Sequence, residues 1–173
     1  VIAIPDADQT PEQIVGLAEG VASDSQFARR LAESGCRVLV PMLVSRQMGN
    51  PKVSHSNRGA GLSNREFLHR SAFELGRTLI GYEVQKVLAA VDWFARQSST
   101  NDAAGGNLPS AVRKRKIGVM GWGEGGMIAL YAAALDTRID AACVSGFFDD
   151  RRNIWQEPID RNVFGLLEQF GDA

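Results

Sequence analysis

Short apolar runs that alternate with helix-like patterns organise this chain. Four of these runs predict buried strands, at residues 1–5, 37–43, 116–120 and 141–147. Apolar residues at helical spacing predict the helices between them, at residues 11–18, 25–34, 64–75, 79–97 and 127–135. Alternating strands and helices are typical of a mostly parallel sheet with helices on both faces. The predicted fold class is therefore α/β.

Two polar stretches without periodicity interrupt this pattern. Residues 45–63 predict a long surface loop, and residues 98–110 predict a linker. In open parallel sheets, ligand sites gather at the carboxyl ends of the strands. The segments that we expect at those ends are residues 5–8, 42–47, 121–126 and 146–155.

Composition limits the number of domains and the kind of partner. With 173 residues, 45% apolar and 23% charged, the chain is expected to form one globular domain over residues 1–173. Its net charge of -1 creates no field that would attract a polyanion. No apolar run approaches the roughly 20 residues that span a bilayer. We therefore expect neither nucleic acid nor a membrane as a partner.

Both ends of the sequence interrupt a structural pattern. Val1 opens inside a strand-like run, and Ala173 follows a helical pattern with no closing element. We therefore expect a domain that is truncated at both ends, with the rest of a larger parent chain as its partner.

The cysteines and histidines suggest no metal chemistry. Cys36 and Cys143 lie in apolar runs and are predicted to be small buried core residues rather than a disulfide. No pair of histidine, cysteine or carboxylate residues has metal-ligand spacing. The sequence accordingly predicts no metal and no cofactor.

The glycine turn at residues 121–126 is the clearest local motif, because it follows a predicted strand and opens a predicted helix. Gly121, Gly123 and Gly125 have the spacing of the Gly-x-Ser-x-Gly nucleophile elbow, with Gly123 in place of the serine. An elbow needs small flanking residues because strand and helix pack closely around its strained centre. The turn meets this steric requirement but lacks the nucleophile.

Two other interpretations fit the same glycines. Gly121, Gly123 and Gly126 also satisfy the Gly-x-Gly-x-x-Gly dinucleotide fingerprint. That motif needs an acidic residue at the end of the next strand, whereas Asp140 precedes the next predicted strand and Asp149 lies too far along. In the third interpretation the glycines serve close packing between helix and strand alone. Their spacing leaves all three interpretations open.

A longer pattern around the turn carries a family resemblance. The matching segments are FELGR at 73–77, IGYEV at 80–84, AVDW at 90–93, IGVMGWGEGG at 117–126, AAALD at 132–136 and RIDA at 138–141. In order and content they resemble bacterial acetyl-xylan-esterase-like proteins over residues 65–173. The chain is thus similar to the α/β-hydrolase superfamily, near the acetyl xylan esterase and dienelactone hydrolase groups.

This resemblance implies a serine or cysteine nucleophile at position 123, followed along the chain by an acid and a histidine. Glycine has no group that attacks a carbonyl, and both histidines, His55 and His69, precede that position. We therefore expect a domain of carboxylic ester hydrolase ancestry that is catalytically inactive as it stands. The alternative is an active hydrolase that uses a displaced nucleophile in the full-length parent, so the enzyme assignment stays open.

The resemblance also implies which residues line the site. The oxyanion-hole donors would be the backbone N–H groups of Glu124 and Ala7. Asp6, Asp8 and Glu124 add negative charge that opposes an anion there. The implied ligand is a small ester or a carbohydrate, and the predicted binding residues are Gly121, Trp122, Gly125, Gly126 and Trp155.

Further candidates lie outside the turn. The charged segment 149–160 is predicted to be an ion-paired surface loop in which Trp155 packs as a lid. His69 is predicted to be a packed or surface histidine, and His55 lies in the long polar loop. Ser145, inside a predicted strand, is expected to be hydrogen-bonded rather than nucleophilic.

Overall fold

A computed structural model describes residues 1–48, 61–103, 116–148 and 155–166, without the side chains of 98–103. Its strands are β1 (Ile2–Ile4), β2 (Ile117–Trp122) and β3 (Ile139–Ser145). Its helices are α1 (Pro11–Ile14), α2 (Phe27–Glu33), α3 (Asn64–Phe73), α4 (Leu79–Ala103) and α5 (Glu124–Leu135). Short 3-10 turns lie at Ser23–Ser25 and Ile159–Arg161. No helix in the described part of the chain is long and apolar enough to cross a membrane.

The three strands form one parallel sheet in the order β1-β2-β3. On the other side of β1, Leu39 forms an isolated parallel bridge to Ile2. The chain therefore leaves β1 toward one edge of the sheet and later returns to the opposite side of β1 to form β2. The carboxyl ends of β1 and β2 meet where this direction reverses, which is where open α/β sheets bind ligands.

Helices cover both faces of the sheet. Ile2 and Ile4 of β1 belong to the core cluster that includes α4 and α5. Ala3, between them, belongs to a second cluster with Ile14 of α1 and Ala28 of α2. This division follows from the two-residue period of a strand, whose successive side chains point to opposite faces. The predicted α/β class with a parallel sheet is confirmed.

Local sequence explains where the helices begin. Thr10 and Gln13 form a capping box at the start of α1. The Ser63 hydroxyl oxygen accepts the backbone N–H of Glu66 and caps α3. By contrast, the N-cap residue of α5 is Gly123, which has no side chain to supply such a cap. The first amide of α5 must therefore find an acceptor elsewhere in the molecule.

Two predicted boundaries are wrong. The strand expected at 37–43 is reduced to the bridge at Leu39, because Pro41 has no N–H to donate to a strand ladder. The linker expected at 98–110 begins as helix, since α4 continues to Ala103. Polar residues without glycine or proline do not end a helix, and the nearest breakers come after residue 103.

The prediction that Cys143 lies in the core is also wrong. Cys143 is exposed, and Cys36 is only partly buried; both are free thiols. Cys143 belongs to β3, which has no further strand on its outer side among the residues that the structure describes. An edge position leaves the side chains of a strand more accessible than those of the central strands.

The long polar loop is described only at its two ends. Met48 and Ser63 form an antiparallel bridge, and the Asn64 N–H donates to the Gln47 carbonyl oxygen at 2.8 Å. These contacts bring the two ends of the predicted 45–63 loop together beside α3. His55 lies outside the described residues.

Candidate active site

The centre of the site is the turn between β2 and α5. Gly123 adopts a φ of 57° and a ψ of −119°, in the region where residues with a Cβ are strained. Its N–H donates to the Ser145 carbonyl oxygen at 2.9 Å, which ties the turn to the end of β3. A strand thus passes into a helix within one residue, as an elbow requires.

The neighbouring glycines are explained by packing. A Cβ on Gly121 would overlap the carbonyl oxygen of Gly125, and a Cβ on Gly125 would overlap the carbonyl oxygen of Ile4. Gly126 approaches the Ser145 carbonyl in the same way. Because these spaces are filled by backbone atoms, packing alone accounts for all three glycines. Their predicted role in ligand binding stays a prediction.

Asp6 occupies the space beside the elbow. It lies just after β1, and its Oδ1 accepts the backbone N–H of Glu124 at 3.0 Å. A Cβ on Gly123 would lie 2.9 Å from the same oxygen. Of the two amides predicted to form an oxyanion hole, the one of Glu124 therefore binds a carboxylate of the chain itself.

Arg46 holds this carboxylate in place. Arg46 Nη1 lies 3.0 Å from Asp6 Oδ2, and Nη2 lies 3.3 Å from Oδ1. Burial disfavours the charged form of Asp6, but the hydrogen bonds from Arg46 and from the Glu124 amide outweigh it. Together they hold the pKa of Asp6 below its ordinary value of 3.8. Asp6 is therefore a carboxylate at neutral pH.

Replacing Asp6 with alanine is expected to lower the free energy of unfolding at pH 7 by about 1–3 kcal/mol, because it orphans the first amide of α5. Asp8 is the matched control, since its Oδ2 pairs with the same Arg46 at 2.9 Å but is largely exposed. Asp8→Ala should cost about 0–1 kcal/mol. Urea denaturation followed by circular dichroism would measure both, and equal losses would contradict the assignment of Asp6 as the cap.

The pH dependence of the Asp6→Ala effect follows from the sign of the shift. The pKa of Asp6 is lower in the folded than in the unfolded chain, so its contribution is fully present above pH 3.8. That contribution is lost as pH falls through the folded value. The wild-type protein and Asp6→Ala should therefore converge in stability in acid, provided that both remain folded there.

A buried ion cluster lies directly behind the elbow, centred on Arg65 of α3. Arg65 is fully buried, and its Nε lies 2.9 Å from Asp160 Oδ2. Its Nη1 donates to the Val44 carbonyl oxygen at 3.0 Å and lies 3.7 Å from Glu83 Oε1. Its Nη2 forms an ion pair with Glu124 Oε1. One guanidinium thus contacts three buried carboxylates from three separate parts of the chain.

Glu124 joins this cluster to the elbow. Its Oε2 lies 3.0 Å from Arg161 Nε and 3.4 Å from Arg46 Nη2. Burial raises the pKa of Glu124, and the positive charges of Arg65, Arg161 and Arg46 oppose that rise. The negative charge that the sequence predicts around the turn is therefore paired with arginines inside the protein.

None of these arginines is among the sequence-predicted site residues. One local signal does point to the cluster: Glu83 lies on α4 in the apolar stripe that contains Ile80 and Val87. A carboxylate on a buried helix face needs a cationic partner. The sequence pattern does not identify that partner as Arg65, which lies on a different helix.

The predicted aromatic residues are placed at the surface. The Trp122 indole packs over Gly146 and is about half exposed. Trp155 is 77% exposed, so it does not pack as the predicted lid. His69 is buried, which confirms the packed alternative, and the segment 149–154 lies outside the described residues.

The acidic residue nearest the dinucleotide spacing lies at the wrong end of the sheet. Asp140 Oδ2 accepts the Ile117 N–H at 2.8 Å, at the amino end of β2. The glycine turn lies at the carboxyl end of the same strand, so Asp140 cannot reach a ribose bound there. Within the described ranges, no group of three or more His, Cys, Asp or Glu side chains is arranged to hold a metal ion.

A parallel sheet, a switch point and a strained strand-to-helix elbow together define an α/β-hydrolase-type domain. A family model described as the dienelactone hydrolase family matches residues 2–153. The chain belongs to that family, within the α/β-hydrolase superfamily, and therefore has ester hydrolase ancestry. A search of the curated proteins and a search of the solved structures each found no match.

Proposed function

We propose that this domain does not hydrolyse esters through its elbow and that it acts as a binding or structural module within a larger protein. The observation that carries this proposal is the Asp6 carboxylate, which accepts the Glu124 N–H beside a residue without a side chain. The residue at the nucleophile position has no side chain that could attack an ester. The neighbouring Glu124 N–H already donates a hydrogen bond to Asp6.

Acyl transfer at an elbow needs two groups that this turn does not offer. One is a nucleophile, which Gly123 lacks. The other is a set of free N–H donors for the oxyanion, and losing one donor typically costs about 10²–10³ in rate. Here the carboxylate on Glu124 N–H also repels a developing oxyanion. Each departure lowers the rate by itself, and both act on the same event, the attack on the carbonyl that forms the tetrahedral intermediate.

The described histidine is not positioned as a base either. His69 lies in α3 with its ring 6.3 Å from that of Phe164, centroid to centroid, and it is buried. A general base must lie within hydrogen-bond reach of the nucleophile that it activates. His69 instead packs on the segment that follows β3, and its neighbours support a structural role.

As a binding module, the domain would take a small ester or a carbohydrate at the carboxyl end of the sheet. Trp122 ends β2 and is 52% exposed, and Phe148 follows β3 and is 72% exposed. Aromatic faces of this kind stack on apolar faces of a ligand, while Arg46 and Asp8 offer hydrogen-bonding groups nearby. Trp122→Ala should weaken binding of such a ligand in calorimetry.

An ester hydrolysis assay tests the proposed loss of activity. The protein and its Gly123→Ser variant should both hydrolyse a chromogenic acetate ester no faster than buffer, because the serine would gain no base and Asp6 would still occupy the Glu124 amide. Glu33→Ala, which removes an exposed carboxylate on α2 that pairs with Arg29, serves as a control for surface charge. Robust turnover by the wild-type protein would instead favour a hydrolase with a displaced nucleophile. Trapping of an acyl-enzyme followed by peptide mapping would then identify that nucleophile.

A further inference from the structure

Residues 155–166, which we call the strap, are attached to the body of the domain by ion pairs. Asp160 of the strap is buried against Arg65 of α3, with Oδ2 and Nε 2.9 Å apart. Arg161 reaches Glu124 at the elbow, with Nε and Oε2 3.0 Å apart. The strap therefore contacts both α3 and the first residue of α5.

Next to these ion pairs, the strap also covers an unusual histidine. His69 of α3 is 1% exposed, and its ring lies 6.3 Å from that of Phe164, centroid to centroid. Phe73, one helical turn further on, lies 4.9 Å from the same Phe164 ring. Neither ring nitrogen of His69 has a hydrogen-bond partner among the described residues. The strap thus covers the imidazole, and no described residue accepts a hydrogen bond from it.

The charges around His69 do not offset the effect of burial on its pKa. Burial lowers the pKa of His69, and Arg70 on the same helix acts in the same direction. Asp160 of the strap and Glu66 of α3 act against it. Asp160 is already paired with Arg65 and Glu66 with Arg70, which limits what either carboxylate offers to an imidazolium. The docked strap therefore favours the neutral ring.

We propose that the strap is a pH-sensitive latch, docked on α3 while His69 is neutral and released when His69 gains a proton. Release would uncover the His69 ring and Glu124, and it would free the Arg161 side chain. This inference uses residues outside the elbow chemistry and holds whether or not the domain hydrolyses esters.

The sign of the dependence follows from linkage. A released strap leaves His69 in water with a pKa near the ordinary value of 6.5, whereas the docked strap holds it lower. Docking is therefore fully favourable above pH 6.5 and weakens as pH falls below it. The equilibrium constant for release rises by up to about tenfold for each pH unit in that window and levels off below the docked pKa.

Hydrogen exchange of the full chain, corrected for the intrinsic pH dependence of exchange, tests this latch. Protection of strap peptides should fall by up to about fivefold between pH 6.5 and 5.5, because the released imidazole is already half protonated at pH 6.5, while protection of α5 peptides is retained. His69→Gln should remove this dependence. His55→Gln, which removes the other histidine, should leave it intact.

Three results would overturn the latch. They are strap protection that is constant across this pH range, a dependence that survives in His69→Gln, and a dependence that disappears in His55→Gln. Where His69→Gln fails to fold, nuclear magnetic resonance titration of the wild-type imidazole decides the question. A His69 pKa at or above 6.5 contradicts the proposal.

Discussion

Replacing Arg65 with methionine is expected to lower the free energy of unfolding by about 3–5 kcal/mol at pH 7. Methionine keeps most of the length of the side chain but removes the charge that contacts Glu83, Glu124 and Asp160. Those carboxylates would stay buried, and Asp160 would lose its ion-pair partner. Leaving a buried charge unpaired costs far more than losing an exposed pair.

Arg70 provides the matched control for this substitution. It lies on the same helix and pairs with Glu66 at 2.7 Å, but its side chain is 58% exposed. Arg70→Met should cost only about 0.3–0.5 kcal/mol, as exposed helix pairs do. Urea denaturation monitored by circular dichroism gives both values under the same conditions.

The loss in Arg65→Met should also shrink in acid. Unpaired buried carboxylates bind protons more readily when folded than when unfolded, so lowering the pH stabilises the variant relative to the wild-type protein. A loss below about 1 kcal/mol at pH 7 would contradict this account. Such a small loss would mean that the free-energy cost of burying the charges cancels the stabilisation from their ion pairs.

Gly121→Ala is expected to cost about 3 kcal/mol or more, or to prevent folding, because the new methyl group has no space. It would overlap backbone atoms of Gly125 and Gly126 in the first turn of α5, and these cannot move aside as a side chain can. Separating β2 from α5 would disturb the elbow and the core between strand and helix.

Gly118→Ala is the control, since it places the same methyl group on the same strand. Its nearest atoms would be the Ala141 carbonyl oxygen at 3.6 Å and Val1 Cγ2 at 3.9 Å, which are ordinary contacts. We expect a change within about 1 kcal/mol. Similar thermal and urea stabilities for the two variants would show that close packing is not the reason for glycine at position 121.

The sequence predicted the elements of the fold because their signals are local. Thr10 and Ser63 mark helix starts, and the run of glycines after Met120 marks the elbow. The strand expected at 37–43 was overestimated because its hydrophobicity was read without Pro41, which has no N–H to continue the ladder with β1. In the structure, the ladder is limited to the bridge at Leu39.

The chemistry of the site was predicted only in part, because its main contacts are long-range. Position 123 follows from the elbow motif, and the amides of Glu124 and Ala7 follow from the family resemblance. That Asp6 would bind the Glu124 amide depends on Arg46, and the cluster behind the elbow depends on Arg65 and Asp160. Such pairs are far apart along the chain, so no spacing rule connects them. Their positions follow from how the helices pack.

The pairing of Ile2 with Val119 also constrains how the chain reaches its native state. The first strand cannot complete its ladder until the chain has been synthesised through residues 117–122, because these residues form its partner strand β2. Contacts between distant residues slow folding, since the entropy of closing a long loop is lost before the contact forms. During synthesis, β1 therefore remains without its main partner, and its apolar residues are open to incorrect association until β2 appears.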